Sequence, residues 1–270
     1  MLLTAVTAIL IIFDCFHGSV WMLASPLGSD TIAGGRFYGL GNDYMGVLLA
    51  ATVIATVFFI EKLKIKPLWK GLLGLFPLGL MTIAIGHPSF GADVGGLITS
   101  LVTMGLYFIT ISGTRFTWKR FILIGFAAVI GVLAVAELDA LFSAAPSHAG
   151  KTINSLLTGG STVFFSIVVT KLGILGSTII HSSWSIILLI ALLFILAARL
   201  KNPQLFEIIS QENPVVYKTL RILSISTLIM FLVNDTGVIA TAIILLYILA
   251  LFGLIPAQKI CADKDGKDIA

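Results

Sequence analysis

Long apolar segments separated by short polar ones are the feature of this sequence that most constrains its fold. A helix needs about 20 apolar residues to cross the hydrocarbon core of a bilayer, where the backbone must satisfy its own hydrogen bonds. Of the 270 residues, 58% are hydrophobic and only 11% are charged, a composition that excludes an ordinary soluble domain. The sequence therefore predicts an all-α fold, a polytopic transmembrane helix bundle of about eight spans. These predicted spans are Leu2–Phe16, Tyr44–Ile60, Leu72–Ile85, Val94–Ile111, Phe121–Ala136, Trp184–Leu200, Ile222–Val233 and Val238–Ile255.

Lysine and arginine are distributed unevenly between the two sets of loops that these spans create. Only Arg36, Lys151 and Lys171 fall on one face, and the other 14 of the 17 fall on the opposite face. Basic residues accumulate on the cytoplasmic side of a membrane, so both termini are predicted to be cytoplasmic. Residues 1–258 form a single transmembrane domain in this interpretation, and 259–270 a polar cytoplasmic tail. Because the basic residues follow the topology of the spans, they do not indicate a nucleic-acid partner; the predicted partner is the lipid bilayer.

One further apolar segment, Thr162–Ile180, is interrupted only by Lys171. If it crossed the membrane, the basic loop around residues 199–221 would move to the outer face, against the charge distribution. Residues 140–183 are therefore predicted to be an outer-face excursion. Within it, Ser161–Leu175 is predicted as an interfacial or re-entrant helix, hinged at Gly159-Gly160.

Three spans that run inward begin with an aspartate shortly before a glycine, at Asp43, Asp93 and Asp235. Asparagine precedes two of these aspartates, at Asn42 and Asn234. Both residue types are preferred helix caps, so capping alone is one explanation of the pattern. The alternative is a shared pocket, because ionisable groups within a bilayer cost roughly 2.5–3.5 kcal/mol and usually pair or line a wet cavity.

The richest polar stretch, residues 34–46 (GGRFYGLGNDYMG), directly precedes the second span. Its Arg36 is the only arginine predicted on the outer face, and Asp43 or Asp93 is its expected partner. A guanidinium held in this way can offer its remaining donors to a phosphate or pyrophosphate; a purely structural salt bridge is the alternative.

These residues divide into predicted catalytic and binding roles. Carboxylate and imidazole groups can transfer protons, so the predicted catalytic residues are Asp93, His148 and Asp43. The predicted substrate-binding residues are Arg36, Asn42, Tyr38, His87, Asn234 and Asp235. The sequence contains no metal-binding motif and identifies no cofactor, although Asp43, Asp93 and Asp235 together could hold a divalent cation.

Five segments carry a family resemblance: Gly35–Gly46, Ser25–Asp30, Phe90–Gly96, Ser147–Gly150 and Asn234–Gly237. In them the chain resembles a family of uncharacterised bacterial polytopic membrane proteins. In that family a similar membrane region often accompanies an extracytoplasmic domain that looks like an alkaline phosphatase, and these 270 residues contain no such domain. The resemblance implies a multi-pass protein of the bacterial inner membrane, with an extracytoplasmic domain or protein as its partner.

Residues 36–42 (RFYGLGN) are also similar, more distantly, to the Arg…Gly…Asn stretch of O-antigen ligases and polymerases. In those enzymes the stretch opens a membrane helix near a periplasmic active site. The similarity implies that Arg36 contacts a lipid-linked pyrophosphate and that His148 or Asp93 activates an acceptor hydroxyl. The usual Asn-Pro-Asn of that family is replaced here by Asn42-Asp43-Tyr44.

Three functions fit these features. The first is an envelope-biogenesis enzyme that acts at the outer face on a lipid-linked phosphorylated (glyco)lipid. The second is a secondary transporter or flippase that uses the same Asp/Arg cluster, and the third is a non-catalytic membrane scaffold. We expect the cytoplasmic halves of the spans to be apolar, with no inner cluster matching the outer one, which favours catalysis over transport.

Overall fold

The protein is all-α in the computed structural model, which describes residues 1–25, 27, 40–142, 165, 166, 168–202, 204–234 and 236–267. No strand occurs in these described ranges. The helices are α1 (Leu2–Phe16), α2 (Val20–Leu23), α3 (Asn42–Glu61), α4 (Pro67–Gly86), α5 (Val94–Ile111), α6 (Trp118–Phe142), α7 (Val168–His181), α8 (Trp184–Lys201), α9 (Leu205–Glu212), α10 (Pro214–Val233) and α11 (Gly237–Lys267).

Seven of the described helices are long and apolar enough to cross a membrane. They are α3, α4, α5, α6, α8, α10 and the first part of α11, Gly237–Leu254. The predicted all-α fold is confirmed in the described residues, and these seven helices fit a multi-pass membrane protein. Helix α1 has 15 residues, fewer than the roughly 20 that a crossing needs, so an eighth span and cytoplasmic termini stay predictions.

The helix in the predicted excursion ends later than expected. The prediction ends it at Leu175, whereas the described helix, Val168–His181, continues to His181; the predicted start lies outside the described residues. Glycine lowers helix propensity without ending a helix whose neighbours favour one, so the helix continues through Gly176 and the first residue outside it is Ser182. The predicted hinge at Gly159-Gly160 lies outside the described residues.

Helix α3 occupies the centre of the bundle. It contacts α1, α4, α5, α10 and α11, and it is the most buried of the seven candidate spans. Its sequence is apolar on every side, as a fully enclosed helix requires, and Leu48, Leu49 and Val53 are completely buried. Helices α6 and α8 are the least buried and form the periphery. The start of the central helix is therefore surrounded by the ends of its neighbours.

Candidate functional site

The starts of α3, α5 and α11 are brought together by glycines that permit very close helix contacts. A Cβ atom added at Gly46 in α3 would lie 2.7 Å from the carbonyl oxygen of Ala240 in α11. A Cβ added at Gly95 in α5 would lie 2.9 Å from both the Cα of Asn234 and the carbonyl oxygen of Val233. Any side chain larger than hydrogen would push these helices apart. The glycines after the predicted aspartates therefore serve helix packing.

A chain of hydrogen bonds runs across these three helix starts. The Asn42 amide nitrogen donates to the Thr236 hydroxyl, and the Thr236 backbone N–H donates to Oδ1 of Asn234 over 3.1 Å. Nδ2 of Asn234 donates to Oδ1 of Asp93 over 3.3 Å. We call these four residues, Asn42, Asp93, Asn234 and Thr236, the polar junction. The structure thus joins three of the predicted site residues and adds a fourth.

Asp93 is the N-cap of α5. Its Oδ1 also accepts the backbone N–H of Gly96 at 2.5 Å, and the residue is only 8% exposed. Asn234 is buried as well. Asp93 therefore caps α5 and also contacts another predicted site residue, because the same Oδ1 accepts from the helix backbone and from Asn234.

The amide of Asn42 has one buried polar atom that no described residue satisfies. This atom is Oδ1, whereas Nδ2 bonds to Thr236. Rotating the amide by 180° would exchange the roles and leave Nδ2, a donor, without a partner. Either orientation carries the cost of a buried unsatisfied group, about 1–3 kcal/mol. Such a group marks a place where a ligand could contribute the missing hydrogen bond.

The remaining predicted site residues are placed as follows. Asp43 lies in the first turn of α3, one residue beyond Asn42, and the cap of that helix is Gly41. His87 is exposed, accepts the Ser89 N–H at its Nδ1 over 3.2 Å and stacks near Phe90, with ring centroids 4.9 Å apart. None of its contacts in the described chain reaches the polar junction. The other predicted residues, Arg36, Tyr38, His148 and Asp235, lie outside the described residues, and their roles stay predictions.

Sequence reasoning missed Thr236, although it lies within the Asn-Asp-Thr-Gly stretch at the start of α11. It also missed Asp14, the one carboxylate in the first apolar segment. Asp14 is buried and accepts the backbone N–H groups of Trp21 over 3.0 Å and Met22 over 2.8 Å. A carboxylate inside an apolar segment was the available signal, and its role is to hold the turn between α1 and α2.

Buried hydroxyl groups continue from the polar junction into the bundle between α5 and α10. Thr103 and Ser226 are completely buried and are joined by a 2.7 Å hydrogen bond. Thr99, one turn nearer the junction, is also completely buried and bonds to the carbonyl of Gly95 over 2.8 Å. Ser226 precedes Asn234 by eight residues, or about 12 Å of helix, so these hydroxyls extend toward mid-membrane depth.

A second polar cluster lies at the opposite end of α3. The Glu61 carboxylate binds Lys70 over 2.7 Å and also binds Lys218, which joins α3, α4 and α10. The hydroxyl of Tyr107 donates to the carbonyl of Lys70 over 2.8 Å. The sequence analysis did not predict this cluster, because lysines predicted as loop charges fold back onto a helix-terminal glutamate. Glu61, Lys70 and Lys218 all lie outside the predicted spans, so the expectation of apolar cytoplasmic halves stays a prediction.

A divalent cation would need several acidic or histidine ligands in one place. Within the described ranges, no group of three or more His, Cys, Asp or Glu residues is arranged to hold a metal ion. Asp93 is engaged as a helix cap, and Asp235 lies outside the described residues. Of the three carboxylates predicted as possible cation ligands, only Asp43 and Asp93 lie in the described part of the chain.

The fold and the site together define a class: a multi-pass helical membrane protein with a buried polar junction at one end of the bundle. Comparison of the chain with protein-family models, with curated proteins and with solved structures gave no match.

Proposed function

We propose that the polar junction binds the phosphorylated head group of a membrane lipid. In this proposal the protein is an envelope-biogenesis enzyme that acts on a lipid-linked phosphorylated (glyco)lipid at the outer face of a bacterial inner membrane. The observation that carries the proposal is the Asn42 amide at the meeting point of three helix starts: its Oδ1 is buried and has no partner among the described residues. With the amide rotated by 180°, Oδ1 would accept from the Thr236 hydroxyl and Nδ2 would be the atom without a partner. A phosphate that accepts from this Nδ2 would remove the cost of the unsatisfied group.

The electrostatics of the helix ends favour an anion at this place. The first backbone N–H groups of a helix lack intrahelical partners, and the dipole makes this end positive. At α5 the Asp93 side chain accepts one of these N–H groups. The cap of α3 is Gly41, which has no side chain to accept a hydrogen bond. Among the described residues, no N-cap side chain covers the start of α3, and this end has the sign of charge that binds phosphate groups at other helix starts.

The polar segment that precedes α3 contributes the predicted arginine. Tyr44 in the first turn of α3 donates its hydroxyl to Ser25 over 2.6 Å, and Leu40 is buried beside the start of the same helix. Both ends of the intervening segment thus meet at α3. Leu40 is four residues after Arg36, a distance that extended backbone spans in at most about 14 Å, so we propose that the guanidinium reaches a bound phosphate.

Asp43 is the carboxylate best suited to proton transfer in this reaction. Oδ1 of Asp93 accepts two hydrogen bonds, from Gly96 and Asn234. Because these bonds stabilise the ionised carboxylate, Asp93 is a weaker base. Asp43 lies one residue from Asn42 in the first turn of α3, next to the position proposed for the phosphate. It would take the proton from an acceptor hydroxyl, a role that the sequence analysis shared among Asp43, Asp93 and His148.

Native mass spectrometry of the purified full chain tests this proposal. The probes are a polyprenyl diphosphate and the same polyprenol without phosphate. We expect the wild type to bind the diphosphate at least tenfold more tightly than the polyprenol. Asn42→Ala and Arg36→Ala should each weaken diphosphate binding by about tenfold or more, since a hydrogen bond to a charged group contributes about 1.5–3 kcal/mol. The matched control is Asn213→Ala, an asparagine at the start of α10 with no side-chain capping bond. Equal affinity for the polyprenol, or equal effects of Asn42→Ala and Asn213→Ala, would contradict the proposal.

Transport is the second candidate function, and the buried hydroxyls beneath the junction favour it. Thr99, Thr103 and Ser226 form a polar line between α5 and α10, and polar groups near the bilayer midplane are a feature of secondary transporters. Reconstituted protein distinguishes the two functions. Transport predicts movement of the intact lipid between leaflets that Ser226→Ala slows, whereas catalysis predicts a chemically altered product that Asp43→Asn reduces.

A further inference from the structure

An apolar groove runs along the side of the bundle between α8, α9, α10 and α11. Its volume is about 420 Å³, within the range of roughly 300–1,000 Å³ that is typical of ligand pockets. Six of its lining residues represent the four helices that form it: Leu192, Ile195, Phe206, Leu228, Leu245 and Phe252. Leu192 and Leu228 are about half exposed, so the groove opens sideways to the surrounding bilayer.

The groove offers little to a polar ligand. Two threonines on its wall already donate their hydroxyl groups to backbone carbonyls. Thr227 donates to Leu223, and Thr241 donates to Thr227. The remaining wall is almost entirely hydrocarbon and aromatic ring. An opening of this kind within a membrane-spanning region meets only lipid tails, which match its lining.

The length of the groove matches one lipid chain in one leaflet. Along α11 it extends from Thr241 to Phe252, which is 11 residues or about 16 Å of helix. Half of the hydrocarbon core measures about 15 Å. A single extended lipid chain therefore fits along the groove.

Positive charge lies at one end of the groove. The Arg199 guanidinium carbon is 5.4 Å from the centroid of the Phe206 ring, and that ring packs edge-on against Phe252 with centroids 5.8 Å apart. Arg199 and Lys201 both lie in the last turn of α8. A guanidinium has five donors, so it can contact a phosphate while it stacks on the ring. This end lies about 22 Å along α11 from the polar junction at Gly237.

We infer that this groove holds one hydrocarbon chain of an anionic glycerophospholipid, with the phosphate at Arg199. The groove fixes the chain and the cationic end of α8 selects the head group. The site is separate from the polar junction and does not depend on the function proposed for it.

Native mass spectrometry of the full chain with added phosphatidylglycerol or phosphatidylcholine tests the site. We expect the wild type to retain one phosphatidylglycerol more tightly than phosphatidylcholine by about fivefold or more, the equivalent of about 1 kcal/mol for a basic residue at a membrane surface. Leu228→Trp, which fills the groove, should abolish this binding for both lipids. Leu232→Trp is the matched control: it lies on the same helix, its leucine is 63% exposed against 57% for Leu228, and it is not part of the groove lining.

The head group is tested separately. Arg199→Gln should remove the preference for phosphatidylglycerol and leave phosphatidylcholine binding unchanged, whereas Arg120→Gln, an exposed arginine near the start of α6, should preserve the preference. Equal losses in Leu228→Trp and Leu232→Trp would overturn the inference. So would a dimer that dissociates in Leu228→Trp, or crosslinking of the groove to residues 143–164, since either result would put protein in place of lipid.

Discussion

At the scale of single residues, the polar junction depends on side chains that link segments distant in sequence. Asn42 reaches Thr236 and keeps one polar atom without a partner in the described chain. Asn234 accepts from Thr236 and donates to Asp93. The sequence indicated Asn42, Asp93 and Asn234 because Asx residues before a span are conspicuous. It did not indicate Thr236, because threonine is common in membrane helices and its partner, Asn42, lies 194 residues away in the chain.

Replacing Asp93 separates its hydrogen-bonding role from its charge. Asparagine caps a helix about as well as aspartate, so Asp93→Asn should lose well under 1 kcal/mol of unfolding free energy, whereas Asp93→Ala should lose about 2 kcal/mol through the cap and the orphaned Asn234 amide. Unfolding in mixed micelles with increasing SDS measures both values. Glu207→Ala, in the first turn of α9, is the control and should change stability by no more than about 0.5 kcal/mol. An Asp93→Asn variant as unstable as Asp93→Ala would show that the charge, and not the cap, is what matters.

At the scale of helices, glycine and small polar groups determine which elements can touch. The long spans were predictable because length and apolarity are local properties of the sequence. The end of α7 at His181 was not, because Gly176 lowers helix propensity without stopping a helix. The Glu61 cluster was also missed, since Lys70 and Lys218 reach Glu61 only after α4 and α10 have packed beside α3.

Gly46→Ala tests the contact between α3 and α11. The added methyl group would meet the Ala240 carbonyl oxygen at 2.7 Å, and backbone cannot move aside as a flexible side chain can. We expect a loss of about 1–3 kcal/mol in unfolding free energy, as for other overpacked positions, and weaker lipid binding at the junction. Gly79→Ala in α4 is the matched control, because nothing lies within 4 Å of its added Cβ; alanine should leave stability unchanged or raise it by up to about 1 kcal/mol. Equal effects of the two substitutions would contradict close packing at α3.

At the scale of the whole molecule, the bundle has a polar cluster at each end of its most buried helix. The polar junction lies at the start of α3 and the Glu61 cluster lies at its end, with α3 spanning 20 residues between them. The charge distribution in the loops predicts that the Glu61 end faces the cytoplasm. This orientation is a prediction from the lysines and arginines of the loops alone. The pairing of side chains across the bundle could not be predicted in this way, because the partners lie far apart in the sequence.

Cysteine labelling tests the predicted orientation. Lys64→Cys lies between α3 and α4 and Ser89→Cys between α4 and α5, in a background where Cys15 and Cys261 are replaced by alanine. We expect a membrane-impermeant maleimide to label Ser89→Cys in intact cells and Lys64→Cys only after lysis, because α4 is long enough to separate the two loops. The reverse pattern would invert the bundle, and labelling of both in intact cells would mean that α4 does not cross.

The central claim is that residues from different helices form one site for a phosphorylated head group, and a double-mutant cycle tests it most directly. Binding of a polyprenyl diphosphate is measured for the wild type, Asn42→Ala, Asn234→Ala and the double variant. Residues in one hydrogen-bond network typically show coupling of about 0.5–3 kcal/mol. We therefore predict that the double variant loses less binding free energy than the two single variants lose together, by at least about 0.5 kcal/mol. Additive losses, or binding that neither substitution weakens, would contradict a shared site.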